Sequence, residues 1–324
     1  MRVLVIGGTQ FFGKQTVERL LARGDQVTIF SRGRRRPPFW DRITHIAGDR
    51  SDHRRFVELL RGHSFQVVID NIAYQGEDVE AAVDAFRGHI EHYLLTSSAA
   101  VYPDLAPPVS FRPIPEAEAN LTLRGDGAYA EGKRACEQVL HAHQPFPFTI
   151  LRPPIVLGAE DPTRRGWFWI QRIADGGPVL TPQRYPAVVW RMVYSGDIAE
   201  TFLRAGRNPA AFGKTYNVAM DEIITLEDFV RLIASILDRP DPLVSVPASL
   251  LAREAPWYAP TLDRQFILDT TKIKQDLEFV STPLQRWLEE TVGWHLAHDL
   301  GPSKGYERRA EEIALARRLR PADA

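Results

Sequence analysis

Apolar and polar positions fall into two alternating patterns from the first residues onward. Val3-Leu4-Val5-Ile6 is an unbroken apolar run, as in a strand covered on both faces. Val17, Leu20 and Leu21 then recur at helical spacing within residues 14–23, and Gly24 stands where a helix ends. Both patterns repeat. Strands are expected at 26–31, 43–46, 66–70 and 91–97, and helices at 53–61, 77–87 and 127–143. Strands alternating with helices over short connections predict an α/β fold. Its core is a Rossmann-type, doubly wound parallel sheet with right-handed crossovers.

After Arg152 the rhythm changes. Residues 164–174 are expected to form a helix whose Trp167, Phe168 and Trp169 either stack on a substrate or base or, as the favoured reading, are core of a smaller C-terminal substrate-binding lobe. A helix at 196–205 and a strand at 214–218 are expected to return to the sheet. A helix follows at 225–237. Trp257 and Tyr258 lie in a proline-flanked loop placed to close over substrate, and Thr282-Pro283 opens a helix with Pro at its first position. Residues 306–320 interleave Arg and Glu, which reads as an exposed helix docking on a second copy in a homodimer. The expected division is a dinucleotide-binding domain at 1–155, to which 196–220 returns, a lobe at 156–300 and a helical tail at 301–324.

Composition narrows the partners. The 324 residues are 44% hydrophobic and 25% charged, ordinary for a soluble globular chain. Forty basic residues against 41 acidic ones leave no global field for nucleic acid or membrane. The single cysteine, Cys136, excludes an intramolecular disulfide. The chain opens on a strand rather than a signal peptide, and no apolar run reaches membrane-spanning length, so a cytoplasmic protein is expected. No metal site is expected.

The stretch between the first strand and helix carries the first candidate chemistry. Gly7 and Gly13 bracket Thr9, Gln10, Phe11 and Phe12. A glycine turn from strand into helix cradles a pyrophosphate, because the free N–H groups of the helix start point at it. The second strand ends on Ser31-Arg32, followed by Gly33-Arg34-Arg35-Arg36, where an NAD site carries an acid. A hydroxyl and a guanidinium suit a 2′-phosphate, so NADP(H) is expected ahead of NAD(H). A solvated basic turn is the plainer alternative.

Ser97-Ser98 ends the fifth strand, where ligands of open α/β sheets gather. Irregular chain follows at 103–125, with Pro103, Pro107, Pro108, Pro113 and Pro115. The next helix holds Tyr129 and Lys133 one turn apart on one face. An ammonium beside a phenol favours the phenolate and makes a usable acid or base.

Taken in order, these motifs resemble the extended short-chain dehydrogenase/reductases, the NAD-dependent epimerase/dehydratase family. The matching features are Gly7 to Gly13, Gly48-Asp49, Ser97 to Tyr102, Tyr129 with Lys133, Leu151-Arg152-Pro153, Arg191 ahead of Asp197-Ile198-Ala199, and Tyr216-Asn217-Val218. The resemblance implies a catalytic Ser98-Tyr129-Lys133 triad. Ser98 would hydrogen-bond the substrate oxygen, Tyr129 would exchange its proton, and Lys133 would hold the nicotinamide ribose. Asp49 would contact adenine, and Arg50, Asn71 and Pro153 would complete the cofactor contacts. It implies an NAD(P)-dependent oxidoreductase or epimerase acting at a carbonyl or secondary alcohol of a sugar, sugar-nucleotide or related small molecule. Arg191 would meet a substrate phosphate or carboxylate, or else be structural.

Departures refine this. Ala99-Ala100 stand where the family's dehydratases carry Asp-Glu and its decarboxylases a Glu, so both eliminations are disfavoured. Ile155 stands where its epimerases often carry Asn. The turn without a middle glycine is also similar to the chloroplast stem-loop-binding branch, which gives the alternative of an RNA-binding protein on the same fold. Balanced charge and the Tyr129–Lys133 pair argue against nucleic acid as partner.

Overall fold

A computed structural model describes residues 1–102, 112–183, 189–258 and 267–319. In chain order the first part comprises β1 (Arg2–Ile6), α1 (Phe11–Ala22), β2 (Gln26–Ser31), β3 (Thr44–Ala47), α2 (His53–Leu60), β4 (Phe65–Asp70), α3 (Gly76–Phe86), β5 (Ile90–Thr96), α4 (Ala128–His143) and β6 (Phe148–Arg152). Then come β7 (Val156–Leu157), α5 (Arg165–Ala174), β8 (Val179–Gln183), β9 (Val189–Trp190), β10 (Val193–Tyr194), α6 (Ser195–Ala205) and β11 (Lys214–Asn217). The rest is β12 (Ile224–Thr225), α7 (Leu226–Ile236), β13 (Leu243–Pro247), α8 (Ala248–Glu254), α9 (Thr271–Leu277), α10 (Leu284–Ala297) and α11 (Arg309–Leu319).

Seven parallel strands form the central sheet in the order β3-β2-β1-β4-β5-β6-β11. This is the doubly wound Rossmann arrangement that the alternation predicts. Successive side chains of β1 divide between two cores. Val3 and Val5 join Val17 and Leu20 of α1 and Ile198 and Phe202 of α6. Leu4 and Ile6 join Phe56 of α2, Val79 and Phe86 of α3, and Cys136 of α4. A strand covered on both sides has no polar face to show, which is why its sequence reads as one apolar run. Strand order reverses between β1 and β4, and the crevice beyond their carboxyl ends is the place for a ligand.

Of the irregular stretch expected at 103–125, positions 103–111, including Pro103, Pro107 and Pro108, lie outside the described residues. The remainder is irregular apart from one short turn, Glu116–Glu118.

A third core unites α5, α7, α10 and the parallel pair β8–β13. Trp167, Phe168 and Trp169 are buried there, as their spacing predicts. Three expectations need correction. Trp257 and Tyr258 are themselves packed rather than free to close over a substrate. Tyr258 is buried, its hydroxyl accepts from Leu180 N at 3.1 Å, and Arg308 lies 3.4 Å over the Trp257 ring. Pro283 precedes α10 as its cap residue instead of opening it. The last helix, α11, is not wholly exposed: one face packs into the lobe. Arg309 pairs with Asp175 at 2.8 Å, and Glu312 with the wholly buried Arg172 at 2.6 Å. Leu315 and Ala316 join the lobe core. Its alternating charges read as solvated because their partners lie far back in the chain, on and just after α5. No described helix is long and apolar enough to cross a membrane.

Candidate active site

The turn after β1 is built around two glycines. Gly7 takes φ +85°, open to it because it lacks a side chain. A Cβ on Gly13 would overlap the Gly7 carbonyl oxygen, so only glycine lets α1 begin this close to β1. The helix starts at Phe11, earlier than the expected residue 14, so Gly13 lies in its first turn. No side chain caps that start and no acid stands in its first turn. Its free N–H groups therefore suit an anion.

A cleft of about 780 Å³ opens beside this turn, over the carboxyl ends of β1 to β4. Gly7, Thr9, Gln10, Phe11, Phe12 and Gly13 line one part; Ser31, Arg32, Asp49, Arg50 and Asn71 line the rest. These are the expected cofactor residues except Lys133 and Pro153. Asn71 accepts from Thr96 Oγ1 at 2.9 Å, and its buried Nδ2, beside Gly13, has no partner among the described residues. A buried donor is not left orphaned without cost. Glycine cradle, uncapped helix and orphan amide together fit a dinucleotide.

At the far end, the Ser31 hydroxyl meets His45 Nε2 at 3.1 Å and accepts from Gly33 N at 3.3 Å. Arg32, Arg34 and Arg35 line the cleft, exposed, with no hydrogen bond or ion pair among the described residues. The charge run hinted at Arg34 and Arg35, but only the fold brings them to the cleft. Asp49 is held below the usual carboxylate range by hydrogen bonds from Ser51 N and Oγ. Arg50, in contrast, is turned inward. It pairs with buried Asp70 at 3.0 Å and stacks 3.9 Å over Phe56. Burial opposes its charge, yet Asp70, Tyr93 and Asp78 together more than compensate and raise its pKa.

Of the two serines ending β5, Ser97 is buried and donates to Glu137, while Ser98 is only partly buried. Ser98 Oγ accepts from Ala100 N at 3.1 Å, which starts the tight turn Ala99–Val101, and Ala99 N donates to the Pro153 carbonyl at 2.8 Å. Glu137 also accepts from Arg152 at 2.6 Å, Arg152 donates to the Tyr102 hydroxyl at 3.0 Å, and Tyr102 donates to Asn217 at 2.7 Å. The motif residues Ser97, Tyr102, Arg152 and Asn217 thus form one buried frame that ties β5, β6 and β11 together behind Ser98. Arg134, fully buried, donates to the Ala100 and Val101 carbonyls and pairs with Asp126. It fixes the Ser98 turn to α4. No sequence signal marked it.

Tyr129 lies in the first turn of α4, 52% exposed, and its hydroxyl has no hydrogen bond among the described residues. Lys133 is 1% exposed. Its ammonium donates to the Ala73 and Thr96 carbonyls, both at 2.7 Å, and stands 5.9 Å from the Tyr129 ring centroid. Burial lowers its pKa. Arg191 is bonded within the fold. It donates to the Met220 carbonyl at 2.6 Å, to the Leu268 carbonyl, and to Thr270 Oγ1 at 3.2 Å.

Comparison with known proteins agrees with this geometry. Residues 3–219 match the model of the NAD dependent epimerase/dehydratase family. A chloroplast stem-loop binding protein of 41 kDa from Arabidopsis thaliana is 26% identical over 256 residues, 74% of this chain and 64% of that protein, a little under two thirds of its length. A 2'-dehydrokanamycin reductase from Streptomyces kanamyceticus is 24% identical over 283 residues, 85% of this chain and 76% of that protein. Among solved structures, the UDP-glucose 4-epimerase of Thermotoga maritima with UDP-glucose superposes at a TM-score of 0.74, with 19% identity, covering 92% of this chain and 99% of that one. That last likeness is one of fold. The family match spans most of the chain and includes the glycine turn, the β5 end and α4, so this chain belongs to the NAD-dependent epimerase/dehydratase family.

Proposed function

We propose that the protein transfers hydride at a secondary alcohol or carbonyl of a sugar, sugar-nucleotide or related small molecule, as a net oxidoreduction or as the hidden half of an epimerisation. One juxtaposition carries this reading. The glycine turn of Gly7 and Gly13 opens on the cleft at the carboxyl ends of the strands, Lys133 is bonded to the Ala73 carbonyl just beyond β4 and the Thr96 carbonyl at the end of β5, and Tyr74 lines the cleft and meets Tyr129 at 6.3 Å between ring centroids. The dinucleotide, when bound, supplies and accepts the hydride; the protein orients and handles the proton. Tyr129 donates its phenolic proton to the substrate oxygen in one direction and takes it back in the other. Lys133 holds positive charge next to that phenol, and Ser98 steadies the oxygen with its free O–H. Ala99 and Ala100 offer no acid or base for elimination. The reductase relative and the neighbour solved with UDP-glucose support a substrate of sugar type. A panel of UDP- and dTDP-hexoses and free ketoses tests the reading. At least one member is expected to turn over, followed by nicotinamide absorbance and by NMR of the epimers. No turnover across the panel, together with tight binding of a structured RNA, would favour the second reading. That reading, an RNA-binding protein on this fold, draws on the stem-loop-binding relative.

For the cofactor, Arg32 with Arg34 and Arg35 supports NADP(H), since guanidinium pairs phosphate oxygens bidentately. NADPH is expected to bind more tightly than NADH, and Arg32→Ala to reduce that preference by about tenfold, as for loss of one charge-assisted contact. Dissociation constants for both dinucleotides check it. A wild type that prefers NADH would contradict it.

A further inference from the structure

Tyr74 is an aromatic side chain left 49% exposed on a backbone held from several directions. Its N–H donates to Asp78 Oδ2 at 2.7 Å, as does that of Gln75 at 3.1 Å. Its carbonyl packs so tightly on Gly132 of α4 that a Cβ there would overlap it. The Gln75 carbonyl accepts from Cys136 Sγ at 3.1 Å, and the Ala73 carbonyl from Lys133. The ring is therefore presented in one place by a loop clamped to the helix that carries Tyr129.

That place is over Lys133. The ammonium lies 4.7 Å from the Tyr74 ring centroid, nearer than the 5.9 Å to Tyr129, and the two rings are inclined at 47°. Two of its three N–H bonds go to the Ala73 and Thr96 carbonyls. The third has no acceptor among the described residues and is left to the two rings. Tyr74 also lines the cleft, whereas Tyr129 does not.

We propose that Tyr74 is a positioning residue that acts through Lys133: its ring roofs the ammonium, keeps water from it and confines its third N–H bond to the side where Tyr129 stands. The proposal rests on the reading of Tyr129 as the proton donor and acceptor. A cation over an aromatic face gains more when it is desolvated, and its field on a neighbouring phenol is screened less than in water. The ring supplies this effect. The hydroxyl does not.

Two measurements on the full chain test it. In the first, lysines are reductively methylated with formaldehyde and cyanoborohydride, and the Lys133 peptide is read by mass spectrometry. Lys133 should stay protected in the wild type and become labelled in Tyr74→Ala. In the second, kinetics are run on the panel member with the highest turnover. Tyr74→Ala should lose about tenfold in kcat while KM and the NADPH dissociation constant move less than about twofold. Tyr74→Phe should restore both protection and turnover. Three results would overturn the proposal: Lys133 still protected in Tyr74→Ala, labelling with no fall in kcat, or Tyr74→Phe as damaged as Tyr74→Ala. The labelling needs no turnover, so it stays readable even if Tyr129→Phe retains full activity and the enzyme reading itself fails.

Discussion

Tyr129→Phe is expected to lower kcat by about 10²–10⁴-fold, the usual yield of a positioned general acid–base. The substitution keeps the ring and removes the one transferable proton. Tyr129 is half exposed, its hydroxyl has no hydrogen bond among the described residues, and its ring lies 6.3 Å from that of Tyr74 between centroids and 5.9 Å from the Lys133 ammonium. Folding and dinucleotide affinity should therefore hardly change, and the loss should fall on kcat and kcat/KM alike. Stopped assays on the best panel substrate, with circular dichroism as a control, measure it. Wild-type turnover in the variant would remove Tyr129 from the chemistry.

Gly13→Val should abolish dinucleotide binding. The added Cβ collides with the backbone oxygen of Gly7, not with a side chain that can swing away. Strand and helix must part there, and the N–H groups of the first turn lose their aim. A ligand at a hundred times its dissociation constant stabilises a fold by about 2.7 kcal/mol. The wild-type melting temperature should thus rise by several degrees with saturating NADPH, and that of Gly13→Val should not. The apo variant should keep its far-ultraviolet spectrum, because the clash touches one turn and spares both cores. An equal thermal shift in the two proteins would mean that the cofactor binds elsewhere.

Most of the sheet could be read from the chain because each parallel strand is covered on both faces and each helix on one. Apolar runs and helical spacing record that directly, as β1 and α1 illustrate. The glycine turn was legible for the same reason: close backbone approach demands glycine. What escaped is long-range pairing. Arg309 and Glu312 looked solvated because Asp175 and Arg172 are remote in sequence. The contacts of Arg191 were not legible because its acceptors are mostly backbone carbonyls, which every residue owns. The two-residue strands of the lobe carry too little pattern to register. Tyr74 gave no signal either, since an aromatic in a loop acquires meaning only from the ammonium beneath it.

The central claim is that this cleft holds a nicotinamide dinucleotide. Calorimetric titration of the wild-type chain with NADPH, NADH and, in parallel, a structured RNA hairpin tests it most directly. One NADPH per chain is expected, with saturation in the micromolar to millimolar range usual for enzyme ligands, and no comparable heat from the hairpin. Tight binding of the hairpin with no heat from either dinucleotide would contradict the account.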